Sequence, residues 1–330
     1  MELRTTFNID PSEQKISYND PVMFIGSCFA TYIGRKFESG HMSVMINPSG
    51  TVFNPASVLK TISRIISGES YELKDLNNFN GLWFSFDHYT DFSSETAEGT
   101  LSAINLKLNE SRSFLSGTRF LFITFGTARV FRLKESGLIV SNCHKLPAIN
   151  FTRELMSVNN IVISWNALLD NLKSLYPGLK VIFTISPVRH WKDGAHGNQV
   201  SKSVLFLAVE ELLKHPSKPS YFPAYELIMD DLRDYRYYDE DMLHPSPKAI
   251  DYIWEEFSKC YFEKTTTELV QEIDRISKAM SHRIQNPYSG ETRKFAENIL
   301  AKIDLISKKA PEINLQNEKK YFLELIHRAS

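Results

Sequence analysis

Cysteine is scarce: Cys28, Cys143 and Cys260 are the only three in 330 residues. They are too few and too scattered for a disulfide framework or a CxxC metal clip. Charge of one sign is missing as well. The 38 Lys and Arg balance 39 Asp and Glu to a net of −1, so no whole-chain field draws in nucleic acid or an anionic membrane. No apolar run approaches the roughly 18 residues that span a bilayer. Residues 1–15 carry no basic-then-apolar signal, and a cytoplasmic setting is expected. The phosphate-binding pattern G-x-x-x-x-G-K-S/T and a strand-following G-x-G-x-x-G are both absent, which excludes nucleotide binding through those loops. Internal repeats and low-complexity tracts are absent too. What remains is ordinary: 42% hydrophobic and 23% charged residues suit a soluble chain with a sizeable core.

Short apolar bursts alternate with helical periodicity, the pattern of an α/β domain on a parallel sheet. The bursts fall at 22–25, 44–46, 120–124 and 181–185. The last two are apolar at nearly every position, as strands covered on both faces are. Asn54-Pro55 reads as N-cap and first residue of a helix that Gly68 closes after Ser67. Further helices are predicted at 96–113, 158–175, 201–213 and 247–261. Alternation on either side of Glu135-Ser136-Gly137 predicts a β-hairpin added to this frame. The aromatic-rich stretch 71–95 reads as a long loop that covers a site. Beyond residue 262, Leu269, Ile273, Ile276 and Met280, then Ile299, Ile303 and Ile306, recur at helical spacing around the break at 286–290. The expected division is therefore an α/β domain over 1–262 and a helical extension over 263–330. The extension packs on the core or on a second copy of the chain.

Two places carry the chemistry. The first strand ends in Gly26-Ser27-Cys28-Phe29-Ala30 and runs into a helix, which puts Ser27 and Cys28 at the C-terminal edge of the sheet, where open α/β folds bind ligands. A thiol at a helix N-terminus is expected to have a lowered pKa. The plainer reading is that Ser27 caps the helix and Cys28 fills a small apolar space. Near the other end stands Asp241-Met-Leu-His244, followed by Pro-Ser-Pro and an amphipathic helix. Asp at three positions before His lets a carboxylate orient an imidazole that faces a nucleophile elsewhere.

Those blocks, in that chain order, resemble the SGNH/GDSL hydrolase superfamily, and within it the GSCFA family, whose name stands here as residues 26–30. The resemblance covers about residues 20–260. It implies a three-layer, doubly wound sandwich on a mainly parallel, roughly five-stranded sheet of flavodoxin-like type, with the hairpin inserted and the helical extension appended. It also implies a hydrolase or acyltransferase acting on an ester, thioester or O-acyl group through a covalent acyl-enzyme. The superfamily's Gly-Asp-Ser block laid on Gly26-Ser27-Cys28 makes Cys28 the nucleophile, with Ser27 as rival. His244 is then base and acid, and Asp241 its orienter. Gly50 matches the second oxyanion donor. The third block, ordinarily Gly-x-Asn-Asp, reads Gly126-Thr127-Ala128-Arg129, so the Asn is missing: either Thr127, beside Gly126, or another group compensates, or the activity is slow or lost. Arg189, His190, His196 and His88 are further candidates for substrate contact.

The same reading expects no metal and no cofactor. Its partners are an acylated small molecule or glycan-like substrate, with neither nucleic acid nor a membrane span, and a homo-oligomer through the C-terminal helices. A non-catalytic binding or scaffold protein on a degenerate SGNH frame is the alternative.

Overall fold

A computed structural model describes residues 5–329. The chain divides into two compact units: Met1–Pro11, Asp20–Arg35 and Val44–Cys260 form one, and Ser12–Asn19, Lys36–Ser43 and Tyr261–Ser330 the other.

In chain order the first unit holds β1 (Val22–Gly26), the start of α1 (Cys28–Ser39), β2 (Val44–Ile46), α2 (Pro55–Ser67), β3 (Asn77–Phe79), β4 (Leu82–Phe84) and α3 (Ala97–Gly117). It continues with β5 (Phe120–Phe125), β6 (Arg129–Leu133), β7 (Ile139–Val140), β8 (Phe151–Leu155), α4 (Val158–Leu175), β9 (Lys180–Ile185) and α5 (Gly194–Leu212). Then come β10 (Ser220–Phe222), the short helix α6 (Ala224–Glu226) and α7 (Pro247–Tyr261). Five strands form one parallel sheet in the order β10-β9-β5-β1-β2. The α/β class and the five-stranded parallel sheet expected from the sequence are both present.

Alternation along the strands explains why helices cover both faces. Met23, Ile25, Leu121, Ile123 and Phe183 join Trp165 of α4 and Leu205 of α5 in one buried cluster. The intervening Phe24 and Phe122 stack at 4.9 Å and meet Phe257 of α7. At about 25 cal/mol per Å² of apolar area removed from water, such two-sided burial is the main term holding the sheet. The strand order also sets the site. β1 and β5 are neighbours whose following connections leave in opposite directions, and their C-terminal ends form the topological switch point of this fold type.

Local signals explain the helices. Asn54 accepts the Ser57 N–H at 2.8 Å, Pro55 opens α2, and Gly68 closes it at φ 65°. Thr96 caps α3, which runs on to Gly117 rather than stopping at residue 113. α5 starts at Gly194 instead of Ser201, because its polar first turns, Gly-Ala-His-Gly-Asn-Gln, hide the apolar period. The hairpin β6–β7 forms as expected, yet β8 adds a third antiparallel strand. The stretch 71–95 is no plain loop. Asn80 and Gly81, at φ 53° and 80°, turn the hairpin β3–β4, as Asn-Gly pairs do.

The second unit holds α8 (Lys264–Ser281), α9 (Gly290–Lys309) and α10 (Gln316–Arg328). The apolar stripes of the first two are buried at Ile273, Ile276, Ile299, Ile303 and Ile306. α10 was not expected from the periodicity; it buries Phe322 and Leu325. Within the same unit, Tyr18 donates to the Gly40 carbonyl at 2.6 Å and Phe37 meets Phe262 edge-on. Among the described residues no helix is long and apolar enough to cross a membrane.

Candidate functional site

The end of β1 is built around one backbone conformation. Gly26 sits at φ 146°, and a Cβ there would stand 2.1 Å from the Thr124 carbonyl oxygen. Only glycine meets both demands. The Gly26 N–H donates to Asn47 Oδ1 at 2.8 Å, and Asn47 Nδ2 donates to Thr31 Oγ1 at 2.8 Å. Asn47 itself adopts φ 40°, a left-handed conformation that Asn tolerates better than most residues. It thus ties the strand end to α1.

Beyond this turn the two candidate nucleophiles separate. Ser27 is 1% exposed, and its hydroxyl accepts the Phe29 N–H at 3.3 Å. Cys28, the first residue of α1, is partly exposed. Burial pushes its thiol above the usual range; the N–H groups of Phe29 and Cys28 and the Lys202 ammonium pull the other way without prevailing. The lowering expected at a helix N-terminus is therefore overridden by desolvation.

His244 and Asp241 form a short dyad. Nδ1 lies 2.5 Å from Asp241 Oδ2, while Asp241 Oδ1 accepts the N–H groups of Leu243 and His244, each at 2.9 Å. These bonds, led by the His244 N–H, hold the Asp241 carboxyl down at about 2. The carboxylate therefore fixes the imidazole ring and leaves Nε2 as the working nitrogen. Both side chains remain open to solvent. Asp241 lies close enough to Cys28 to act on its ionisation.

Gly126, at the end of β5, is crowded from two sides. A Cβ there would meet His190 Nε2 at 2.9 Å and Ser27 Cβ at 3.4 Å. His190 and Ser27 thus converge on the switch point. Burial pulls the His190 imidazole down to about 3, helped by Lys202 and Arg153, so it is neutral near pH 7. The His190 backbone N–H donates to Asn198 Oδ1 at 2.9 Å, which anchors the loop after β9.

Two expected oxyanion donors are already engaged. The Gly50 N–H donates to the Asn47 carbonyl at 2.7 Å, which removes it as a free donor. Thr127 is buried; its hydroxyl pairs with Ser201 at 2.8 Å and accepts the Arg129 N–H at 3.1 Å. It holds its own loop. His88 is also off the turn, buried against Tyr71 and Phe92 with its imidazole pulled down to about 3. His196 is exposed in the first turns of α5. Among the described residues no cluster of three or more His, Cys, Asp or Glu could hold a metal ion.

Sequence reasoning missed Lys202. Its ammonium, 1% exposed, donates to the Gly126 and Ser186 carbonyls at 2.7 and 2.6 Å. Burial brings it down to about 7, against the raising influence of Cys28. A signal was there: Lys202 shares a helical stripe with Leu205, Val209 and Leu212, and a lysine on an apolar stripe has to find acceptors. Beside the dyad, a cavity of about 480 Å³ is lined by Arg189, Trp191, Met229, Tyr238, Asp241 and neighbours.

With this geometry in place, comparison with known proteins bears on the chain. A family model described as "GSCFA family" matches residues 21–257, and one described as "GSCFA domain protein, C-terminal domain" matches residues 273–328. No curated protein matches the chain.

Proposed function

The chain belongs to the GSCFA family, and from that premise we propose that it is an SGNH-type hydrolase or acyltransferase with a thiol nucleophile. The Cys28 sulfur attacks the carbonyl carbon of an ester, thioester or O-acyl group while His244 Nε2 takes the thiol proton. The tetrahedral intermediate collapses to an acyl-thioester on Cys28, and His244 returns the proton to the departing group. Water, or an acceptor hydroxyl, then attacks the thioester as His244 removes its proton, and the thiol is regenerated.

The observation that carries this reading is the placement of the Asp241–His244 dyad within electrostatic reach of a partly exposed Cys28. Because the thiol is raised by burial, little thiolate stands free at neutral pH, and the imidazole has a proton to remove. The Cys28 N–H, which faces the sulfur, supplies an oxyanion donor. The neutral His190 beside Gly126 takes the part the superfamily's Asn plays elsewhere. The test is acyl trapping. Incubation with p-nitrophenyl acetate should place an acetyl group on the peptide containing residues 27–28. An unmodified peptide, with ester cleavage unchanged in a Cys28→Ala, Ser27→Ala double variant, overturns it.

One observation favours the second reading, a binding protein without turnover. Gly50 and Thr127, the donors expected to complete the oxyanion site, are both engaged in internal hydrogen bonds. Ligand binding with no acyl transfer in the trapping experiment selects that reading.

A further inference from the structure

The cavity beside the dyad contains a charge with no answer. It opens along the loop after β9 and along the segment between α6 and α7, with Arg189, Trp191, Tyr235, Tyr238 and Asp241 in its wall. Its other charged residues are neutralised in place. Arg233 pairs with Asp230 at 3.3 Å, Asp234 with Arg236 at 3.0 Å, and Asp241 with His244. Arg189 has no carboxylate within ion-pair distance among the described residues, and its Nε is buried with no hydrogen-bond partner. The guanidinium carbon lies 5.3 Å from the centre of the Trp191 ring. Leaving a buried donor unpaired costs free energy, and an arginine fork is shaped for two oxygens of a carboxylate or phosphate. The remaining wall is apolar and aromatic, including Ile228 and Met229 from the π-helical turn Leu227–Asp231. Such turns recur at functional sites.

We propose that this cavity holds an anionic group of the substrate on Arg189, so that the compound acylated or deacylated beside His244 is an acyl ester bearing a carboxylate or phosphate on an apolar or aromatic body. The substrate role rests on the acyl-transfer reading; the anion site does not. Asp241 belongs both to the dyad and to the cavity wall, which places a ligand seated on Arg189 next to the base. A neutral acyl compound of the same shape leaves the guanidinium unpaired and loses affinity.

Binding separates the two claims. Tryptophan fluorescence, with Trp191 in the cavity wall, follows titration with 3-phenylpropanoate and with the isosteric 3-phenylpropanamide. The expected result is a carboxylate preference of about tenfold or more. It should fall to near parity in Arg189→Gln and to an intermediate value in Arg189→Lys, which keeps the charge and loses the fork. Bound 3-phenylpropanoate should also protect Arg189 of the unaltered protein from phenylglyoxal, read by peptide mass, a measurement indifferent to how the variants fold. Equal binding of the two ligands, binding of neither, a preference that survives Arg189→Gln in a folded variant, or absence of protection overturns the proposal. An anion preference without acyl transfer keeps the site and removes the enzyme reading. Acyl transfer without the preference does the reverse. If both hold, the ratio of kcat/KM for 4-nitrophenyl hydrogen succinate over 4-nitrophenyl butyrate should drop about tenfold in Arg189→Gln.

Discussion

Lys202 Nζ lies 2.7 Å from the carbonyl oxygen of Gly126, so a buried ammonium on α5 holds the strand end that borders Ser27. A second bond, to the Ser186 carbonyl at 2.6 Å, ties the end of β9 to the same nitrogen. One side chain thereby secures two of the strand ends that form the floor of the candidate site.

Lys202→Met should therefore lower stability. Two buried carbonyls lose their donor, at about 1–3 kcal/mol each, partly offset because a charge is no longer buried; a net loss of about 1–3 kcal/mol is expected from urea unfolding. The pH dependence carries a sharper signature. The ammonium titrates at about 7 when folded against an ordinary 10.5, so between those values the unfolded chain binds more protons. Its contribution to stability therefore rises with pH across that window. The rise should be visible from pH 7 to 9 and flattened in Lys202→Met.

Ser27 and Cys28 should respond oppositely to alanine. Ser27→Ala removes the hydroxyl that accepts the Phe29 N–H and should cost about 1 kcal/mol by thermal unfolding, while the acetyl adduct on residue 28 still forms. Cys28→Ala should fold normally and form none. An adduct on Ser27 in that variant would transfer the nucleophile role to the serine.

Asp241→Asn should leave substrate binding nearly intact and lower kcat by about 10³–10⁴-fold at pH 7, the scale seen when an orienting carboxylate is neutralised. Since the carboxyl is held at about 2, its protonation sets no limit on the rate between pH 4 and 9. A pH–rate profile whose acid limb shifts in Asp241→Glu would contradict that assignment.

Two glycines with positive φ should differ in what alanine does to them. At Gly26 the added carbon meets the Thr124 carbonyl at 2.1 Å, whereas at Gly81 nothing lies within 4 Å. Gly26→Ala combines backbone strain with a backbone clash and should cost about 3 kcal/mol or more. Gly81→Ala suffers strain alone and should cost about 1 kcal/mol.

The parts of this fold that depend on neighbours in the chain were readable. Asn54, Pro55 and Gly68 announce both ends of α2, and strands covered on two faces declare themselves as nearly continuous apolar runs at 120–124 and 181–185. Elements stabilised from a distance were hidden. β8 reads Phe-Thr-Arg-Glu-Leu, and only its partner β6 makes sense of it, with Glu154 receiving Arg132 at 3.1 Å. The three-residue β10 is short enough to pass for a loop.

At the site, the Asp-x-x-His dyad was legible because three residues of spacing nearly determine its geometry. The ionisation of Cys28 was not, since the helix terminus is a local feature whereas the desolvation that outweighs it comes from the whole surround. Lys202 is legible only in part: its place on an apolar stripe shows in the sequence, whereas its acceptors are carbonyls, which no side-chain pattern reports.

The second unit draws on three separated stretches of chain, and protein engineering has to respect that interleaving. Cutting after residue 262 looks natural from the change in periodicity. It would strip Glu318 from His41 and Glu312 from Asn19, contacts of 3.1 Å each, and orphan segments 12–19 and 36–43 inside the remaining polypeptide. Neither piece is a cassette that can be swapped, fused or expressed alone by a single cut, so a deletion that abolishes activity says nothing of whether the tail touches substrate.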